Sequence, residues 1–103
     1  MLLTHGPHTT TPLNKINPPK DKPTLYAGNV TYMDQLVGKL VSTVDNLGIT
    51  KRTVIIFTSD NGSTFDLGGY DPEFFNGTGG LRGHKCNLYE GGIRVPLAVV
   101  WPG

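Results

Sequence analysis

The sequence predicts an α/β fold, a fragment of a mostly parallel sheet sandwiched by helices, and three observations carry that prediction. Two β-branched, apolar runs, Thr53-Val54-Ile55-Ile56-Phe57-Thr58 and Leu97-Ala98-Val99-Val100-Trp101, lack polar alternation, as strands covered on both faces do. Between Tyr26 and Leu47 apolar side chains recur at three- and four-residue steps, the period of one helix face. The order strand, loop, helix, strand, long loop, strand is that of a sheet with right-handed crossovers. A single long helix leaves one face of such a sheet without a cover, so the chain reads as a fragment. The alternative is a complete small domain that dimerises.

Taken in order, Met1 to Thr4 reads as the tail of a strand. His5-Gly6-Pro7-His8 and the Thr-, Pro-, Asn- and Lys-rich stretch to Pro23 read as loop. The helix is expected from Thr24 to Leu47, with Tyr26, Val30, Met33, Val37, Leu40, Val44 and Leu47 along one face and a length of roughly 35 Å. Pro23-Thr24 supplies its start, and Gly48, able to adopt the left-handed conformation, supplies its stop. Gly38 inside it costs about 1 kcal/mol against Ala, which predicts a close backbone approach at that point. Residues 61–95 hold nine of the 14 glycines with weak periodicity. Ordered loops of that length in compact domains are usually functional.

Composition excludes some partners. The 103 residues carry a net charge of +1 and no run of basic side chains, which argues against nucleic acid and anionic membrane. No segment approaches the roughly 20 apolar residues of a membrane span, and Met1-Leu2-Leu3 is too short for the apolar core of a signal peptide. The single cysteine, Cys86, has no internal disulfide partner and no neighbouring metal-binding cysteine. Asn29-Val30-Thr31, Asn61-Gly62-Ser63 and Asn76-Gly77-Thr78 match the glycosylation triplet, a pattern frequent by chance.

The chemistry gathers around one strand end. Ligands in open α/β sheets collect at the carboxyl ends of strands, and Asp60 and Asn61 directly follow the Val54–Thr58 run. Carboxylate and carboxamide offer oxygen alone, which suits calcium or magnesium and disfavours zinc or copper. Taken without its context, Asp60-Asn61-Gly62 is a tight-turn sequence. Lys85 lies in a glycine-rich loop, where a flexible ammonium acts as a point charge against sulfate or phosphate; a lone loop lysine is otherwise solvated surface. Arg82, His84 and Arg94 read as surface charges. Gly91-Gly92 serves a backbone that needs positive φ or close approach. His5 and His8 follow a strand end, on Asp60's edge if the strands are parallel, and either can donate a proton to a leaving alcohol oxygen. Asp34 and Asp45 read as solvated or capping residues of the helix.

In this order the residues resemble the sulfatase family, specifically the arylsulfatase-type enzymes of the alkaline-phosphatase-like superfamily. The resemblance runs through His5-Gly6-Pro7, Tyr32-Met33-Asp34-Gln35-Leu36-Val37-Gly38, Thr53 through Gly62, Leu81-Arg82-Gly83-His84-Lys85, and Tyr89-Glu90-Gly91-Gly92-Ile93-Arg94-Val95-Pro96, closing on Trp101-Pro102-Gly103. It implies an alkaline-phosphatase-like fold and hydrolysis of sulfate esters. It implies calcium, sometimes magnesium, held partly by Asp60 and Asn61. Lys85 would contact the sulfate and its ester oxygen, and His5, at the family's His-x-Pro position, would contact the same group and assist the leaving alcohol, with His8 as the substitute. The family's nucleophile is a formylglycine hydrate made from a Cys/Ser-x-Pro-x-Arg motif, which takes the sulfuryl group before free sulfate is eliminated. No such motif occurs in this chain. Residues 1–103 are therefore expected to be a partial sulfatase catalytic domain whose partners are the remainder of that domain and a sulfated small molecule or glycan. The alone chain is expected to be inactive. The resemblance suggests a secreted, periplasmic or lysosomal setting. The alternatives are a phosphoester or phosphonate hydrolase of the same superfamily, and a non-catalytic metal- or anion-binding remnant.

Overall fold

The structure, a computed structural model, describes residues 22–65 and 70–102. The strand expected at Met1–Thr4, together with His5 and His8, lies outside the described residues. Helix α1 spans Lys22–Asn46, within two residues of the expected bounds at the start and one at the end. Its stop follows from Gly48, at φ 66°. The Gly48 N–H donates to Asp45 O at 2.8 Å and the Ile49 N–H to Val44 O at 3.3 Å, a pair of bonds that satisfies two carbonyls of the last turn. Gly38 corrects an expectation: a Cβ built there meets nothing within 4 Å, so no neighbouring element approaches it among the described residues.

A single 3-10 turn at Thr50–Arg52 leads into strand β1, Ile55–Thr58. The long connection that follows carries two one-turn helices, α2 at Pro72–Phe75 and α3 at Glu90–Ile93, before strand β2 at Leu97–Val100. Asp71 caps α2 by accepting the Phe74 N–H at 2.9 Å, with Pro72 just inside the helix start.

The two strands pair antiparallel, Ile55 opposite Val100 and Thr58 opposite Leu97, where a parallel relation was expected. The cause of the difference is that an unbroken apolar run reports burial on two faces and is silent on direction. Direction comes from how the connection returns, and here Thr58 Oγ1 donates to Pro96 O at 3.0 Å, tying the end of β1 to the start of β2. The described residues thus form an α/β arrangement of one long helix and one two-stranded sheet.

The packed centre lies away from the sheet. Tyr70, only 2% exposed, meets Tyr26 of α1 at 4.8 Å and Phe75 of α2 at 5.6 Å between ring centroids, and Tyr26 meets Phe75 at 5.0 Å. This aromatic cluster joins the first turns of α1 to α2. By contrast Ile56 is 62% exposed, Leu97 67% and Trp101 74%, so both strands keep apolar side chains in water. The radius of gyration is 15.7 Å, against about 13 Å for a compact domain of this length.

Candidate oxyanion site

The chain leaves β1 through Ser59, whose Oγ donates to Asn61 O at 2.8 Å and bends the backbone at the strand end. Asp60 is exposed and Asn61 half-buried. Among the described residues the Asp60 carboxylate has neither a hydrogen bond nor an ion pair. Two backbone bonds then staple this turn to the distant glycine-rich loop. The Gly62 N–H donates to Gly92 O at 2.8 Å, and the Lys85 N–H donates to Ser63 O at 2.7 Å. The second bond sets the Lys85 backbone against the segment that begins with Asp60 and Asn61.

Glycines make this closeness achievable. A Cβ on Gly62 would strike the Gly91 carbonyl, one on Gly91 would strike the carbonyl of Gly83, and one on Gly92 would strike those of Asn87 and His84. Of the two readings of Gly91-Gly92, close approach is the one the structure bears out, since neither has positive φ.

The loop that carries Lys85 is closed at its base by the Gly91 N–H donating to Arg82 O at 2.8 Å. Above that bond the Arg82 guanidinium sits 3.8 Å over the Tyr89 ring and donates to its hydroxyl at 2.8 Å. Inside the loop the His84 N–H donates to Asn87 Oδ1 at 3.2 Å, and the Asn87 N–H returns to His84 O at 2.9 Å. The His84 ring packs on Phe65 with centroids 5.1 Å apart. Arg94 pairs with Glu90 of α3 at 2.8 Å. Arg82, His84 and Arg94, read from sequence as surface charges, therefore have specific neighbours. Lys85 is exposed, and its ammonium has no ion pair among the described residues. One bare cation and one bare carboxylate thus stand on two stapled segments without being paired to each other.

The donors fit a hard cation in kind: Asp60 and Asn61 present oxygen only. Among the described residues no three His, Cys, Asp or Glu side chains gather to hold a metal, so these two can furnish only part of a ligand shell. Where His5 and His8 stand relative to them is outside the described residues. Cys86, exposed and unpaired, follows Lys85 at φ 76°. An open cavity of about 350 Å³ adjoins the staple, bordered by Ser63, Thr78, Leu81, Gly91, Arg94 and Pro96.

Sequence reading passed over Ser63 and Tyr70. They lie seven residues apart in an aperiodic loop, and no spacing rule links them. Asp71 was too weakly framed in sequence to assign; the signal that could have found its capping role is an acid immediately before Pro, an ordinary helix start.

Comparison with known proteins places the chain in a family. Residues 1–103 match the Sulfatase family. Steryl-sulfatase of Rattus norvegicus is 43% identical over 79 residues, covering 76% of this chain and 14% of that protein. N-acetylgalactosamine-6-O-sulfatase of Bacteroides thetaiotaomicron is 41% identical over 78 residues, 71% of this chain and 15% of that protein. Arylsulfatase H of Canis lupus familiaris is 39% identical over 79 residues, 76% of this chain and 14% of that protein. The matched stretch amounts to 14–15% of the length of these three relatives. With the family matched from end to end, the chain belongs to the sulfatase family.

Proposed function

We propose that this chain is part of the catalytic domain of a sulfuric ester hydrolase with the alkaline-phosphatase-like fold, and that it contributes the Asp60, Asn61 and Lys85 portion of the site. The observation that carries the proposal is the 2.7 Å bond from the Lys85 N–H to Ser63 O, which sets the bare ammonium's backbone beside the segment following Asp60-Asn61. The small share of the relatives' length matched by this chain, and the lack of a Cys/Ser-x-Pro-x-Arg motif, support assigning the nucleophile to residues beyond these. The substrate is a sulfated small molecule or glycan; the relatives are named for steryl and N-acetylgalactosamine-6 sulfates.

In the mechanism Asp60 and Asn61 would hold part of a calcium shell. Bound there, calcium would supply fixed positive charge to the sulfate oxygens, and the nucleophile would come from a formylglycine outside these residues. Lys85 brings a point charge to the sulfate and its ester oxygen, where negative charge grows as the S–O bond breaks. His5 donates a proton to the departing alcohol oxygen, with His8 as the substitute.

The test uses the complete protein carrying this segment, after formylglycine formation, with aryl sulfate and aryl phosphate esters. Lys85→Ala is expected to lower kcat/KM by about 10²–10³-fold, the range for removing one charge-stabilising donor. Asp60→Ala is expected to weaken calcium binding in calorimetry as well as slow turnover. Preferential cleavage of phosphate esters would replace the substrate class. Binding of calcium and sulfate without turnover of any ester would replace the enzyme by a binding protein.

A further inference from the structure

We propose that Tyr70 is a positioning residue that fixes Lys85 through Ser63, an inference that rests on Lys85 being the lysine that meets sulfate. Tyr70 is 2% exposed and held between the rings of Tyr26 and Phe75, at 4.8 and 5.6 Å. Two χ angles locked by packing leave its hydroxyl a single position. That hydroxyl accepts the Ser63 Oγ–H at 2.7 Å and the Gly77 N–H at 3.0 Å. Ser63 in turn accepts the Lys85 N–H on its carbonyl at 2.7 Å. A continuous path of two short hydrogen bonds, through the side chain and then the carbonyl of Ser63, therefore runs from the most buried ring to the backbone of the functional lysine.

The path matters because of how the Lys85 loop is held. Its base is closed by Arg82 and Gly91, but the bond from the Lys85 N–H to Ser63 is what ties its tip to the strand-end turn. Ser63 carries that bond on its carbonyl while its side chain is anchored to Tyr70, so the ring cluster sets where the carbonyl sits. A lysine side chain is long and flexible, and its ammonium can reach a fixed sulfate only from a fixed backbone. A displacement of about 1 Å at such a group can cost about 10²-fold in rate. Gly77 gains from the same hydroxyl: a Cβ there would strike the Tyr70 hydroxyl, so the 77–80 turn is built against it. An apolar ring of the same shape would fill the cluster and leave both Ser63 Oγ and the Gly77 N–H without this partner.

The experiment is a double-mutant cycle in the complete protein, with aryl sulfate as probe. Tyr70→Phe keeps the ring and is expected to lower kcat/KM at least about tenfold when Lys85 is present. In a Lys85→Ala background it is expected to change kcat/KM less than about twofold, because the group it positions is gone. An equal loss in both backgrounds, or no loss with Lys85 present, overturns the proposal. Should Tyr70→Phe fail to fold, Ser63→Ala breaks the same link with the ring intact and carries the same expectations. Hydrogen exchange at the Lys85 amide gives an independent reading. Faster exchange in Tyr70→Phe supports the link, and unchanged exchange overturns it. If Lys85→Ala itself leaves kcat/KM intact, the sulfate role of Lys85 falls, and the exchange measurement alone decides whether Tyr70 fixes that backbone.

Discussion

Lys85 and Gly91 illustrate how a loop residue acquires function from what lies beneath it. The ammonium has no ion pair among the described residues, while the other basic side chains of its loop have specific neighbours: Arg82 on Tyr89, Arg94 on Glu90, and His84 on Phe65. Gly91 lets the backbone beneath it come close. Gly91→Ala would drive a methyl group into the carbonyls of Gly83 and Arg82 and loosen both the loop base and the Gly62–Gly92 staple. The expected loss is about 2 kcal/mol in urea unfolding of the complete protein, in the range of forced overpacking. Tyr26 offers a pH-dependent counterpart. Burial first, and then the neighbouring Tyr70, raise its hydroxyl above the ordinary value of 10.0. On going alkaline the unfolded chain ionises first, so stability present below about pH 10 is lost as pH rises through the folded value. Tyr26→Phe is expected to flatten the fall in melting temperature above about pH 10.

Among the elements, α1 was the most legible and β1 the most ambiguous. A seven-position apolar face and a glycine stop are local signals, and both ends of α1 fall within two residues of expectation. Gly38 is different, since its exposed surroundings give the missing side chain no packing role. Gly38→Ala is therefore expected to stabilise α1 by about 1 kcal/mol, seen as raised helical ellipticity of the 103-residue chain. Unchanged ellipticity would mean that the helix is limited elsewhere. For β1 and β2 the β-branched composition announces strands, while the antiparallel pairing depends on a connection of nearly forty residues that the strands themselves do not describe.

At the scale of the whole molecule, apolar side chains on the strands and along the later turns of α1 remain in water, and Tyr70 is the one apolar residue fully buried among those described. Helix stability in proteins comes mainly from a packed face, and among the described residues most of the α1 face is only half-buried, with Val30 and Val41 exposed. The isolated chain is expected to lose ellipticity gradually in urea, without a sharp transition at low concentration. A steep cooperative transition from a monomer would mean that these faces need no further cover. The isolated chain is likewise expected to leave an aryl sulfate unhydrolysed with calcium supplied, since metal and ammonium stabilise charge but do not attack sulfur.

By itself the sequence determined the helix, the two strands, the oxygen-donor pair at a strand end and the lysine on a glycine-rich loop. Each is written in neighbouring residues, through hydrophobic period, β-branching and side-chain chemistry, which need no knowledge of distant chain. Tertiary structure alone decided that β1 and β2 run antiparallel and that Gly91-Gly92 serves close packing rather than positive φ. It alone decided that Ser63 and Tyr70 stand beneath Lys85. These are relations between segments more than twenty residues apart, or within an aperiodic loop. They are fixed by which backbone groups find partners once the chain has closed, and no local pattern records that pairing.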